Sequence, residues 1–148
     1  MAMVRDILRI KGTDVCSLQP DSTVYDALCL MAEENIGAVL VMEDDKLVGI
    51  LSERDYARKV DLVGKNAKDT PVRAIMTERV VGVHLDETLE ECMALMTDKR
   101  VRHLPVVEGG LVVGVVSIGD VVKAVISQQE FIIEQLENYI TGTPFRPC

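Results

Sequence analysis

The chain has 148 residues, of which 48% are hydrophobic and only 3% aromatic, and it carries a formal charge of −8. That length suits one domain with a real core, and the composition makes the core aliphatic. A negative field of this size repels phosphate backbones and anionic lipid, which excludes nucleic acid and membrane surfaces as expected partners.

The opening, MAMVRDILRI, is too short and too charged for a secretory signal, and no stretch approaches a transmembrane span. Cys16, Cys29, Cys92 and Cys148 form no C-x-x-C. Their mostly apolar settings predict buried free thiols in a reducing cytoplasm. A short apolar strand is expected around Val15 to Leu18. Thr23-x-x-Asp26, a weaker capping box, opens a helix in which Val24, Ala27, Leu28, Met31 and Ala32 recur at helical spacing. Two apolar runs follow, Ala38 to Met42 and Leu47 to Leu51, and the Glu-Asp-Asp-Lys between them predicts a hairpin. From Ser52 the chain turns amphipathic again. The polar stretch from Val63 to Pro71 reads as a linker.

The same order then returns. A strand is expected around Val80 to Val83, and Thr88-x-x-Glu91 caps a helix carrying Leu89, Cys92, Met93 and Met96. A hairpin joins Leu104 to Val107 with Leu111 to Val116. At an offset of 65, Asp21 to Val60 lies on Asp86 to Val125 without a gap, with Gly49/Gly114, Ser52/Ser117 and Asp55/Asp120 among the identical pairs. Upstream, VRDIL at Val4 pairs with VRAIM at Val72. Such register is the mark of an internal repeat. The expected fold is α+β (α/β): two β-α-β-β-α repeats related by a pseudo-twofold axis, with an extended C-terminal helix. Residues 1–62 form the first repeat, 63–71 the linker and 72–127 the second repeat. Residues 128–148 form a helical extension and tail.

That last helix can run from about Asp120 to Thr141, with Gly142 as its C′ cap and Pro144 barring continuation. Val122, Val125, Ile126, Gln129, Ile132, Ile133, Leu136 and Ile140 mark a stripe extending past the repeat. It predicts a homodimer sealed partly by this helix.

Ser52-x-x-Asp55 and Ser117-x-x-Asp120 would, singly, be capping boxes. Their position adds a second role. Each sits at the carboxyl end of a strand, where open α/β structures bind ligands, and on helix amides that favour an anion. A glycine three residues earlier permits close approach of another group. A carboxylate there can accept two hydrogen bonds from the vicinal diol of a ribose.

The runs TVYDALCLMAEENIGAVLVMEDDKLVGILSERD and TLEECMALMTDKRVRHLPVVEGGLVVGVVSIGD each end a hairpin in G-h-h-S-x-x-D, where h is apolar. From about Val4 to Val125 they resemble a tandem pair of CBS domains, a Bateman module. SERDYARKV, ECMALMT, RHLPV and EQLENYITG are similar to runs in stand-alone CBS-pair proteins of bacteria and plant organelles. That resemblance implies regulatory, non-catalytic binding of an adenine nucleotide between the repeats. It implies that Asp55 and Asp120 hold ribose hydroxyls with Ser52 and Ser117 beside them. Adenine would lie against Met76, Thr77 and Val80 in the site of Asp55, and against Val15, Gly37 and Ala38 in that of Asp120. Arg102 and His103 match the family's basic pair and would approach phosphates; His84 stays structural.

Arg54, inside the first motif, suits phosphate because a guanidinium grips its oxygens bidentately. Gly119 replaces it in the second motif, so the sites are unequal. Arg58 and Lys59 are expected on a solvated helix face. AMP is the first expected ligand and NAD the next, with ADP and ATP admissible. The bound state would signal energy or redox status to a partner protein. The alternative is an interaction scaffold, for example on a thioredoxin-like partner, with weak nucleotide sites. No G-x-x-x-x-G-K-[ST], H-E-x-x-H or G-x-S-x-G occurs, so no catalytic residues are assigned. With two histidines and no Cys/His cluster, no metal site is expected.

Overall fold

A computed structural model describes residues 2–141, and Gly142, Pro144 and Cys148 lie outside the described residues. The elements are α1 (Val4–Lys11), β1 (Ser17–Leu18), α2 (Val24–Glu34), β2 (Ala38–Glu43), β3 (Lys46–Ser52) and α3 (Glu53–Tyr56). A π turn, Ala57–Asp61, continues α3, and two 3₁₀ turns follow at Ala67–Asp69 and Val72–Ala74. Then come α4 (Leu89–Lys99), β4 (His103–Glu108), β5 (Leu111–Ser117) and α5 (Ile118–Thr141).

The local rules anticipate α2, α4 and both hairpins, whereas the helix α1 and the 3₁₀ turns are not expected from them. Thr23 Oγ1 accepts from the Asp26 amide at 3.1 Å, and Thr88 Oγ1 from that of Glu91 at 3.1 Å. Both capping boxes form, so α2 and α4 start where orphan amides are satisfied. Asn35 and Arg100 end those helices in the left-handed region, with φ of 53° and 55°. Each hairpin turns on two residues of positive φ, Asp44 and Asp45 in one, Gly109 and Gly110 in the other. Such turns match the right-handed twist of the flanking strands.

β1, β2 and β3 form one sheet, and β4 with β5 forms the other. Ala38 pairs with Ser52, and His103 with Ser117. Both hairpins slip register at equivalent places, after Val41 and after Val106. The strand expected at Val80 to Val83 shrinks to one parallel bridge, Val83 to Val106. Its beginning is used otherwise, since the Val80 amide turns back to the Glu78 carbonyl at 3.0 Å.

The two cores exchange their opening segments. Val72 and Ile75 pack into the core of the first repeat with Val24, Met31, Val41 and Leu51. Val4, Ile7 and Leu8 of α1 pack into the second, with Leu89, Leu104, Val116 and Val121. Backbone bonds secure both transfers: Val72 N to Ser22 O at 2.7 Å, and Val4 N to Glu87 O at 2.8 Å. Exposed ion pairs mark the same symmetry, Arg73 with Asp21 and Arg5 with Asp86. At such exposure they contribute little, whereas the apolar burial beneath them is the cohesive term.

Gly49 and Gly114 acquire a physical reason here. A Cβ on Gly114 would lie 2.8 and 2.9 Å from the Leu8 methyls, and one on Gly49 would lie 2.6 Å from Met76 Sδ. The group that approaches each glycine is therefore an exchanged side chain of the protein itself. Gly114→Ala is expected to destabilise the fold by about 1–3 kcal/mol, as overpacking does. Urea unfolding monitored by circular dichroism checks this; an unchanged midpoint would refute the close packing.

Cysteine burial follows the expectation only in part. Cys92 is buried, Cys16 is half-buried and Cys29 is exposed. Burial pushes the Cys92 thiol up to about 11, which keeps it protonated and inert.

Candidate functional site

β3 and β5 both end in a serine that opens the next helix. The Ser52 amide and hydroxyl donate to Asp55 Oδ2 at 3.0 and 3.1 Å, and Ser52 Oγ accepts from the Asp55 amide at 3.2 Å. Ser117 and Asp120 repeat the reciprocal pair at 2.8 and 3.1 Å. Both motifs are capping boxes, which fixes their carboxylates at the strand ends.

What else meets each carboxylate differs. Asp55 is buried, and its Oδ1 meets Thr77 Oγ1 at 3.3 Å and Lys59 Nζ at 3.1 Å. Lys59 therefore does not simply face solvent: it lies in the π turn, returns to Asp55 and donates to the Ile75 carbonyl at 2.9 Å. Asp120 instead pairs with Lys11 Nζ at 2.6 Å, and the same ammonium donates to the Val115 carbonyl at 2.7 Å. Burial pushes the Asp120 carboxyl up, but the Lys11 ammonium and the Ser117 donors outweigh it, so it titrates below its ordinary range.

Between the repeats lies a cleft of about 530 Å³. Ile50, Val80, Val81 and Val101 give it apolar walls, and Ser52, Asp55 and Thr77 stand at the end of β3. Arg54, Arg79, Lys99, Arg100 and Arg102 also line it, against the carboxylates of Glu53 and Asp55 alone. Local charge thus reverses the sign of the whole chain. Arg54 Nη1 donates to the Arg100 carbonyl at 3.3 Å, tying the first repeat to the end of α4. Burial, and next the nearby Lys11 ammonium, hold the His103 pKa below its ordinary value, so this imidazole is neutral at pH 7. A second groove of about 560 Å³ shares Arg54, Arg100 and Arg102 and opens beside Arg58, Met93 and Val122.

Of the residues expected to form the two sites, Gly37, Ala38, Ser52, Arg54, Asp55, Thr77, Val80, Arg102 and His103 line this one cleft. Gly37 and Ala38, expected beside Asp120, line the cleft of Asp55. Met76 packs on Gly49, while Val15, Ser117 and Asp120 line neither cleft. Sequence reasoning missed Arg79, Lys99, Arg100 and Lys11. One signal was present: extending the Val4/Val72 match sets Lys11 opposite Arg79. His84 holds the Val107 carbonyl through Nδ1 at 3.2 Å. Among the described residues no group of His, Cys, Asp and Glu is arranged to hold a metal ion, and no helix is long and apolar enough to cross a membrane.

A family model described as CBS domain matches the chain twice, at residues 4–61 and 72–127. The chain belongs to the CBS-domain family. The mitochondrial CBS domain-containing protein CBSX3 of Arabidopsis thaliana is 39% identical, over 94% of this chain and 72% of its own. A crystal structure of the CBS domain protein NE2398 is 53% identical and superposes with a TM-score of 0.81, covering 84% of this chain and 97% of that one. The CBS domain pair of MJ0100, solved in complex with 5′-methylthioadenosine and S-adenosyl-L-methionine, is 25% identical with a TM-score of 0.75. It covers 86% of this chain and 98% of that one. CBS pairs are in general regulatory modules, and the two sheets and exchanged segments described above form such a pair.

Proposed function

We propose that this CBS pair binds an adenine nucleotide in the cleft at Asp55 and transmits its occupancy to a partner protein. One observation carries the reading: an apolar slot, a strand-end carboxylate and five cations line a single cleft. Ile50, Val80 and Val81 offer the apolar faces a purine needs, and Asp55 offers acceptors for ribose hydroxyls. Arg54 and Arg102 suit phosphate because guanidinium and phosphate pair bidentately. The adenosine ligands of the MJ0100 pair support the same class. AMP is the first candidate, with NAD, ADP and ATP after it, so the signal would be energy or redox state. The module is proposed to act without catalysis of its own in the cytoplasm. Calorimetric titration with AMP, ADP, ATP, NAD and S-adenosylmethionine tests the reading, and no binding of any of them at millimolar concentration defeats it.

A second reading, an interaction scaffold with vestigial sites, draws on one fact. Both carboxylates already have partners within the chain. The same titration separates the two.

The regulated state is proposed to be a homodimer. Val122, Ile126, Ile133, Leu136 and Ile140 of α5 are all exposed, along with Phe131. An apolar stripe of that length on one helix is a docking face rather than scattered surface apolarity. The double substitution Ile126→Glu with Ile133→Glu should shift sedimentation from dimer to monomer at micromolar concentration. A native chain that already sediments as a monomer ends the proposal.

A further inference from the structure

The two repeats satisfy the same pair of oxygen acceptors by different means. In the first, the chain beyond Val72–Ala74 lies against β3. Thr77 donates its peptide N–H to the Ile50 carbonyl at 2.9 Å and its hydroxyl to Asp55 Oδ1 at 3.3 Å. The repeat offset places Val115 opposite Ile50 and Asp120 opposite Asp55. There one ammonium does both tasks, since Lys11 Nζ reaches the Val115 carbonyl at 2.7 Å and Asp120 Oδ2 at 2.6 Å.

Lys11 is held where it is. Three residues earlier Leu8 is buried in the second core and covers Gly114, just as Met76 covers Gly49. The open cleft begins at Thr77 and Val80 in the first repeat, whereas neither cleft described above reaches Asp120. We infer that Lys11 is a built-in occupant of the second, pseudo-symmetric site, so that each chain takes up one nucleotide rather than two. The inference rests on the nucleotide reading of the Asp55 cleft.

The chemistry favours the plug. A ribose diol would bring two neutral hydroxyls to Asp120. It would have to displace a charge-assisted bond, the stronger kind, and would leave an ammonium and a carbonyl without their partners. At Asp55 the ammonium is that of Lys59, which stands farther off, 3.1 Å from Oδ1 against 2.6 Å for Lys11 at Asp120, and is bound to the Ile75 carbonyl rather than to β3. Ser52 holds Oδ2 within the cap, while the hydroxyl of Thr77 can rotate.

The test counts AMP bound per chain, by calorimetry and native mass spectrometry, for the full-length wild type, Lys11→Met and Lys11→Arg. One AMP is expected for the wild type and for Lys11→Arg, and two for Lys11→Met, the second lost again when Asp120→Asn is added. Two AMP on the wild type, or one on both wild type and Lys11→Met, removes the plug and leaves the nucleotide reading standing. No AMP on any of the variants removes both. A readout without nucleotide covers misfolding of the Lys11 variants. Reductive methylation of Lys11, followed by peptide mass mapping, should run several-fold faster in Asp120→Asn than in wild type. Equal rates overturn the lock.

Discussion

Asp55→Asn should weaken AMP binding by about 1.5–3 kcal/mol, the scale of a hydrogen bond to a charged group, or roughly 10- to 150-fold in Kd. The asparagine keeps the shape of the carboxylate and can still close the capping box of α3, because its side-chain oxygen accepts from the same Ser52 amide. What it loses is charge on the acceptor that faces the cleft. Folding stability should therefore move far less than affinity, the Lys59 contact being partly exposed and worth about 0–1 kcal/mol. The wild type should also prefer AMP to 2′-deoxy-AMP, since one hydroxyl of the diol is then missing. Calorimetry on both ligands decides the matter: equal affinity for the two, together with an unimpaired Asp55→Asn, would leave Asp55 a helix cap and nothing more.

The largest loss of stability is expected one residue before that motif. Leu51 is fully buried on β3, opposite Val39, in the core that also takes Val72 and Ile75 from the other copy. Leu51→Ala removes its contacts and leaves a cavity that three elements would have to collapse to fill. The cost should be about 2–5 kcal/mol, a large share of the roughly 5–15 kcal/mol available to a domain. At roughly 2–4 °C per kcal/mol for a chain of this size, Tm should fall by about 4–20 °C. A thermal midpoint within a degree or two of wild type would mean that this core is not the structural unit described.

Much of this architecture was legible in the sequence because it is written in local chemistry. Threonine caps, turn residues at the hairpin tips and the offset of 65 each report on their own neighbourhood, and together they imply paired repeats. The Ser-x-x-Asp motifs were legible for the same reason. What stayed hidden depends on distance. Apolar spacing marks Val4, Ile7 and Leu8 as core residues without saying which core receives them. Lys11 meets its carboxylate across 109 positions, and no periodicity spans that interval. Arg79, Lys99 and Arg100 are ordinary surface cations until the two repeats face each other. Lys59 is exposed as expected, but helical spacing shows which face a residue occupies, not whether a long flexible side chain turns back over it to a carboxylate.

The exchange of opening segments also sets a timetable for the ribosome. The first core can close once Ile75 has emerged, since every buried member of it has then been made. The second must wait for Val121, although three of its members, Val4, Ile7 and Leu8, were made first. At about 5–20 residues per second, α1 trails unpaired from the nascent chain for roughly 5–20 s while its docking surface is translated. Over that interval α1 is an apolar tether in need of protection, and β5, whose Gly114 is covered by Leu8, is the strand that retrieves it.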